Sequence, residues 1–557
     1  MLMESTMQQG ALTVAGILRY GLHAFPEAEV ITYDGTHGSR ISFKEVAQRA
    51  AQLANALAGI GIQPSDRVGT FCFNHHEHLE SYLGIPASGS VIHTLNVRLA
   101  PDQLQFVIDD AGDRAIIVDG IILPMLAQVL DGCPSVETLI VVGAVLDQAV
   151  REELSKKLRV LDYEEFLSGA EPTFEWPDIV ETDAAMICYS SGTTGNPKGV
   201  VYSHRSTYLH AISALPLYGQ RSWNILGSKG DIALIVVPMF HAAAWGAPYA
   251  CWFTGSTMIM PGRFLQAEPL ASMIEMFRPT VSSGVPTIWN DLLHYLEEHP
   301  TDVSSLRMLT SGGSATPRSL IQEYLDKYGI PVVSGWGMTE TSPVCTLAIP
   351  PSGTPRERLV DYLETAGKVV PGVELRIVGE NQQVQPWDGK ALGEIEVRGP
   401  WITAGYLGGH GVENFDDGWL RTGDIATVDP EGYVRIVDRT KDVIKSGGEW
   451  ISSIELENAI MAHPAVAEAA VIAVPDDRWF ERPLAFVVVK PGTDLEVAEL
   501  REFLSTRVAK WWLPERYSFV DAIPRTSVGK FHKKVLREGY QSGVYSIHEV
   551  DRSEGSR

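Results

Sequence analysis

Cysteine is scarce and scattered: Cys72, Cys133, Cys188, Cys251 and Cys345 are the only five in 557 residues. An odd count with no C-x-x-C pair excludes a disulfide framework and a structural zinc site, and it fits a reducing cytoplasm. Positive charge is also short, with 45 Lys and Arg against 69 Asp and Glu, a net charge of −24. That imbalance opposes broad contact with a nucleic-acid backbone, so a nucleotide ligand has to be held by a local site. The N-terminus lacks a basic region leading into an apolar core and a cleavage site, so no secretory signal is expected. The most apolar stretch, residues 232–253, is interrupted by Pro238, His241, Trp245, Gly246 and Pro248. It reads as a buried strand followed by a core or pocket helix rather than a membrane span. There is no internal repeat and no low-complexity tract, and the polar end from about Ser546 is expected to fray.

What the chain does have is a loop rich in glycine and hydroxyls. Residues 189–199 read YSSGTTGNPKG, placing Ser190, Ser191, Gly192, Thr193, Thr194, Gly195 and Lys198 directly after the apolar run 184–188. Glycines let backbone N–H groups converge on an anion, and the hydroxyls add donors, so the segment predicts a phosphate cradle leaving a buried strand. The alternative is a flexible surface loop, which the Pro-Lys-Gly ending on a buried strand argues against. It is not the P-loop of kinases and ATPases, because Lys198 follows Pro197 and precedes Gly199 where that pattern requires G-K followed by Ser or Thr.

The length predicts several folding units, and through residue 335 apolar strand-like runs alternate with helix-like segments. Runs at 67–73, 115–118, 138–142, 232–237, 256–260, 280–285, 308–311 and 332–335 are separated by amphipathic stretches such as 43–58 and 317–328. This pattern predicts an α/β fold with parallel strands. From Gly372 short alternating strands (373–378, 393–397, 425–428, 433–437) predict a smaller β-rich subdomain. After Asp438 a helix at 453–462, strands at 469–474 and 484–489 and a helix at 497–509 form a last unit.

Four further segments carry chemistry. GWGMTE, 335–340, brings Gly335, Trp336 and Gly337 close to any flat base, and Glu340 is a hard carboxylate suited to Mg²⁺. A lone glutamate there is otherwise a helix cap. WLRTGD ends on Asp424, a carboxylate placed like those that accept from ribose hydroxyls at other nucleotide sites. DRTKDVIKSGGEWIS, 438–452, is dense in charge and then in glycine, and PRTSVGK, 524–530, ends on Lys530.

In this order, over about 340 residues, the five segments resemble the adenylate-forming superfamily of acyl-CoA synthetases, adenylation domains and insect luciferases. PMFHAAAW (238–245), GVPTIW (284–289), TSGGSATP (310–317) and GWGMTETSPV (335–344) are most similar to medium- and long-chain fatty acyl-CoA synthetases and methylmercaptopropionate-CoA ligases. The resemblance implies a large N-terminal domain, residues 1–440, of two α/β subdomains plus a β-barrel. A small mobile α+β domain, 441–557, would carry the catalytic lysine. It implies activation of a carboxylic acid by ATP with Mg²⁺, release of pyrophosphate, and transfer of the acyl group to the thiol of CoA.

The same resemblance assigns roles. The loop from Ser190 to Lys198, with Mg²⁺ at Glu340, would hold the β- and γ-phosphates. Thr339 would touch the α-phosphate, and Lys530 the acyl carboxylate and α-phosphate. Gly312, Gly313, Ser314, Gly335, Trp336 and Gly337 would border the adenine, and Asp424 and Arg439 the ribose. His241, Trp245, Trp289 and Val344 would line the acyl pocket, with Trp245 gating it; ordinary core packing is the alternative for a buried tryptophan. Lys441 would be the hinge, with Gly447 and Gly448 swinging to the pantetheine channel. Trp450 stands where some members carry an arginine, so no phosphate contact is assigned there.

His241 reads as pocket wall rather than general base, because a carboxylate is already ionised near about pH 7. The run NHHEH, 74–78, has three histidines that cannot all face one ion at a strand-to-helix junction, so no metal is assigned to it. Two competing readings are an acyl-adenylate former that loads a carrier protein and a non-catalytic nucleotide-binding regulator. No carrier motif is present, and Lys530 and Glu340, whose loss would mark a regulator, are both retained. The acid remains open between a medium or long fatty acid and a short thioether, aromatic or steroid side-chain acid. A homodimer is expected by likeness, peripheral membrane contact is left open, and a cytoplasmic location is expected.

Overall fold

The computed structural model describes residues 5–145, 147–190, 196–218, 230–446, 449–525 and 531–550. Expected residues Ser191, Gly192, Thr193, Thr194, Gly195, Gly447, Gly448 and Lys530 lie outside them. The described residues form four sheets.

The first sheet has seven strands in the spatial order Arg159–Asp162, Thr138–Val142, Asp113–Asp119, Arg67–Phe71, Val91–Thr94, Ala184–Tyr189 and Gly199–Ser203. All neighbours are parallel except the last pair, which is antiparallel and brackets the phosphate loop. Its central strands are continuous apolar runs buried on both faces, as parallel strands covered by helices must be. One covering helix, Phe43–Gly59, starts from a capping box between Ser42 and Glu45 and buries Val46, Ala47, Ala50, Leu53 and Leu57. A Cβ on Gly84, in the neighbouring helix His76–Ala87, would lie 2.6 Å from the Ala50 carbonyl oxygen, so this glycine is what lets the two helices approach.

The second sheet has nine strands with a parallel centre, including Ile232–Leu234, Val281–Gly284, Met308–Ser311 and Val332–Gly337, and with antiparallel ends. The expected β-barrel takes the form of a five-stranded antiparallel sheet that includes Gly393–Arg398, Trp419–Val428 and Val434–Arg439. The last unit holds a six-stranded sheet built on the long pair Val466–Asp476 and Phe480–Val489, packed by the helices Ser453–Met461 and Val497–Ser505.

Several elements differ from the sequence expectation. The strand expected at 232–237 stops at Leu234, and the segment that follows turns at Ala242–Gly246 through five consecutive positive φ angles before the helix Ala247–Thr254. The helix expected over 317–328 runs Arg318–Glu323 and then widens into a π turn, Tyr324–Tyr328. Val91–Thr94, a strand at the centre of the first sheet, was not anticipated because His93 and Thr94 dilute its apolar signal. No described helix is long and apolar enough to cross a membrane.

Candidate active site

The two α/β sheets and the antiparallel sheet meet around the motif residues. The candidate phosphate loop is closed at its neck: Ser190 N–H donates to the Lys198 carbonyl at 2.9 Å, and Lys198 N–H donates to the Ser190 hydroxyl at 3.3 Å. The Lys198 ammonium lies 4.9 Å from the centre of the Tyr406 ring and 3.8 Å from Glu413. The Tyr406 hydroxyl in turn donates at 2.8 Å to Oε1 of Glu340, which is buried. Burial and Glu340 both hold the Tyr406 phenol above its ordinary pKa, so it remains the donor. Thr339 is placed from the opposite side, its carbonyl accepting from the Tyr202 hydroxyl at 2.6 Å. The loop lysine, Glu340 and Thr339 are thereby brought together, with Tyr406 between the first two.

A second cluster gathers the ribose and adenine candidates. Asp424 and Arg439 are opposite each other on neighbouring antiparallel strands, with Arg439 Nε 2.9 Å from Asp424 Oδ1. Asp424 foremost raises the Arg439 guanidinium further above its ordinary value. The other carboxylate oxygen accepts from Trp336 Nε1 at 2.8 Å, so Trp336 is tied to the Asp424–Arg439 pair. Gly312 is buried, and a Cβ on it would come 3.2 Å from both the Gly335 carbonyl oxygen and the Trp245 ring. Gly313 has φ +83°, and Ser314 is exposed. Gly337 answers a different need: its Cβ would fall 1.8 Å from the Pro343 carbonyl oxygen, so the glycine serves the hairpin itself.

The apolar candidates divide. Trp245 and Val344 both pack on the largest core cluster, with Trp336 and Met338. Trp245 sits at φ +56° after Ala242, Ala243 and Ala244, all left-handed. A left-handed helical conformation costs about 1–2 kcal/mol per non-glycine residue, so the surrounding packing has to hold this turn in place. Trp289 is 1% exposed in a different cluster, its Nε1 donating to the Thr310 carbonyl at 3.0 Å. His241, in extended conformation, precedes the left-handed turn and lines a small cavity with His93, Asn96, Tyr189 and Ser190.

Four contributors carried no motif. Tyr406 and Tyr202 act through single hydroxyls. His210 accepts from Val344 N–H at 3.2 Å, and its Nδ1 would be 2.6 Å from a Cβ on Gly246; burial lowers its pKa to about 4. His93 is fully buried with Nδ1 2.8 Å from Asp113 Oδ2, and its Nε2 has no hydrogen-bond partner among the described residues. A histidine in HTLN following an apolar run was the one legible signal for this pair.

The histidines of 74–78 face different partners. His75 lies 2.8 Å from Asp119 through Nε2 and 2.9 Å from Glu77 through Nδ1, whereas His78 bonds the Phe73 carbonyl and the Thr70 hydroxyl. Burial opposes charge on His75, but Asp119 and Glu77 outweigh it and raise its pKa well above the ordinary value. Cys72, His75 and Asp119 offer ligand atoms within 4.8 Å of one another, yet both ring nitrogens of His75 already meet carboxylates. His75 with Asp119 and Glu77 reads as a buried ion triad, with Cys72 beside it as a neutral thiol. At the hinge candidate, exposed Lys441 is followed by Asp442, whose N–H donates to the Arg439 carbonyl at 2.8 Å.

Comparison with known proteins supplies the family. Residues 19–407 match the family described as AMP-binding enzyme, and residues 455–530 match the AMP-binding enzyme C-terminal domain. The chain is 39% identical to a 3-methylmercaptopropionyl-CoA ligase of Ruegeria lacuscaerulensis, over 97% of this chain and all of that protein. It is 41% identical to a long-chain-fatty-acid–CoA ligase of Thermus thermophilus, over 97% of each. Among solved structures, the anthranilate CoA ligase AuaEII in complex with anthranoyl-AMP superposes with a TM-score of 0.84 at 26% identity. That match covers 97% of this chain and all of the other. The chain belongs to the AMP-binding enzyme family, as an acyl-CoA ligase.

Proposed function

We propose that this ligase activates a carboxylic acid with an apolar tail, a medium- or long-chain fatty acid foremost, and works by two half-reactions in two domain orientations. The observation that carries the first half-reaction is the line Lys198, Tyr406, Glu340, which ends beside Thr339, with Glu340 close enough to Arg439 of the Asp424–Arg439 pair for its charge to act on it. A carboxylate does not react with a thiol until it bears a good leaving group, and ATP supplies AMP for that. The acid's oxygen attacks the α-phosphorus, pyrophosphate departs in line, and the site's task is to position the phosphates and offset their charge.

In this reading Asp424 and Arg439 hold the ribose, and Gly312, Gly313, Ser314, Gly335 and Trp336 flank the adenine. Ser190 and Lys198, with residues 191–195 between them, cradle the leaving pyrophosphate. Lys530 directs its ammonium at the acyl carboxylate and α-phosphate. Glu340 fits Mg²⁺: it is a buried hard carboxylate with one oxygen fixed by a hydroxyl, and such a site leaves the remaining ligands to water and phosphate. When bound, the cation would neutralise phosphate charge.

For the second half-reaction Lys530 has to leave and the CoA thiol has to enter. Residues 1–440 and 441–557 are the two bodies of this rotation, Lys441 is its pivot, and Gly447 and Gly448 leave room for the pantetheine. The sulfur then attacks the acyl carbonyl and AMP leaves. Trp245 and Val344, both packed on the same core cluster, are the pocket wall that meets the tail, with His241 near the carboxylate.

A shorter thioether acid is the second reading, favoured by the 39% identity to 3-methylmercaptopropionyl-CoA ligases over nearly the whole chain. The test is pyrophosphate release with CoA across fatty acids of graded length and 3-methylmercaptopropionate. A single optimum among the longer fatty acids, shifted by Trp245→Ala, is the expected result. An optimum at the thioether acid that is unmoved by Trp245→Ala would replace the first reading with the second. Pyrophosphate release that does not lead to an acyl-CoA product would favour a carrier-loading enzyme. A homodimer, proposed by likeness to relatives, is tested by sedimentation.

A further inference from the structure

A buried network joins the last unit to the sheet that precedes it. Lys533 opens the helix Lys533–Gln541, and its ammonium lies 2.7 Å from the Glu457 carboxylate and 2.6 Å from the Ser453 hydroxyl. The Lys533 and Glu457 side chains are only 11% and 9% exposed. Ser453 begins the helix Ser453–Met461, and its N–H donates at 2.6 Å to Oδ2 of Asp438. Asp438 is fully enclosed in the strand Val434–Arg439, which belongs to the antiparallel sheet on the other side of Lys441. The Ser452 hydroxyl makes a second crossing, donating to the Val437 carbonyl.

One cation therefore pairs directly with Glu457 in its own unit and acts on Asp438 across the hinge through its charge, with Ser453 bonded to both Lys533 and Asp438. Burial raises the Asp438 carboxyl, and the charge of Lys533 is the leading influence against that rise. One turn further along the same helix, Arg537 pairs with the Asp442 carboxylate and donates to the Lys441 carbonyl at 3.2 Å. The helix is thus tied to the pivot and to the strand before it.

The orientation so held has a direction. Arg525 and Phe531 form an isolated antiparallel bridge. The charge of Arg525 offsets part of the burial that raises the Asp291 carboxyl on the helix Pro286–Glu298 of the large unit. Arg525 thus lies within electrostatic reach of that helix of the large unit.

We propose that Lys533 is a positioning residue that latches the C-terminal unit in the acyl-adenylate-forming orientation by joining Glu457 to Asp438 across the hinge. The inference rests on the two-orientation reading given above. Rotation at Lys441 would carry Lys533, Glu457 and Ser453 away together and leave Asp438 behind. The ammonium would keep one carboxylate throughout, so the cation is never left unpaired, which makes the latch reversible.

The test separates the half-reactions. Acid-dependent ATP–pyrophosphate exchange reports adenylation, and thioester formation from pre-made acyl-AMP and CoA reports the second step. Both use the acid with the fastest pyrophosphate release in the screen above. Lys533→Met is expected to lower exchange about tenfold while thioester formation stays within about twofold, because the population moves away from one orientation only. Lys533→Arg is expected to restore exchange. Equal loss in both steps, or unchanged exchange, overturns the latch. Since Lys533→Met also strands Glu457, Asp438→Asn is read by the same ratio with the Lys533–Glu457 pair intact. Lys441→Pro distinguishes the two failures. If it blocks thioester formation alone while the latch variants lower both steps equally, rotation stands and the latch falls. If it leaves the two steps in their normal ratio, the rotation reading itself falls.

Discussion

Removing one oxygen atom from Tyr406 isolates what orients Glu340. In Tyr406→Phe the ring stays beneath the Lys198 ammonium, 4.9 Å away, while the 2.8 Å donation to Glu340 Oε1 is lost. Both partners are buried, at 8% and 6% exposure, so water does not readily replace the hydroxyl. A hydrogen bond to a charged group is worth about 1.5–3 kcal/mol. Loss of a partner that orients a metal-binding carboxylate typically costs about 10–100-fold in metal affinity or activity. The assay is acid-dependent ATP–pyrophosphate exchange at graded Mg²⁺ concentrations. The expected result is a Mg²⁺ requirement raised by about tenfold or more, with the maximum rate at saturating Mg²⁺ falling less, because a free carboxylate still binds the ion once it is found. Thioester formation from pre-made acyl-AMP should be nearly unaffected. An unchanged Mg²⁺ profile would refute the assignment of Glu340 as the metal-facing carboxylate. Equal loss in both half-reactions would show Tyr406 to be a packing residue.

Other outcomes follow from burial and backbone geometry. His210, His78 and His204 are held neutral by burial, with pKa values lowered to about 4, 3 and 4. The unfolded chain binds their protons first, so the stability they contribute is complete above about pH 6.5 and is lost as pH falls towards their folded values. For His210 the loss by pH 4 is about 3 kcal/mol, and His210→Gln should flatten that part of an acid-unfolding curve measured by fluorescence. All five cysteines are buried, with burial raising the thiols of Cys72, Cys133 and Cys345 to about 12. A colorimetric thiol reagent should therefore label none in the native protein at pH 8 and all five in denaturant; rapid native labelling would contradict the packing. Gly337→Ala should abolish soluble expression or the cooperative thermal transition, since its methyl would overlap the Pro343 carbonyl oxygen.

Legibility in the sequence followed the range of the interactions involved. The strand Ala184–Tyr189 and the helix Phe43–Gly59 were readable because each carries its own periodicity and cap. Asp424, Arg439 and Trp336 were readable as motif members, but their contact depends on antiparallel register and on an indole reaching 88 positions along the chain. Tyr406 and His210 could not be found, because nothing local distinguishes a tyrosine that will orient a glutamate from one that simply packs. The left-handed turn at 242–245 was hidden for the opposite reason: three alanines promise a right-handed helix, and tertiary packing overrules that preference. The ion triad at His75 falls in between, since the local run suggested polarity while its partner Asp119 lies on another strand.

The alanines of that turn also fix how the tryptophan beside them can move. Glycine would accept the positive φ angles at less cost, but it would open a broad range of backbone conformations to the segment. Alanine has only a few separate basins, so the turn behaves as a detent with discrete stops rather than a soft spring. Trp245 would then be either seated or displaced by a full step, and on the proposal that it walls the acyl pocket, acid selection there would be a threshold in tail size instead of a graded penalty.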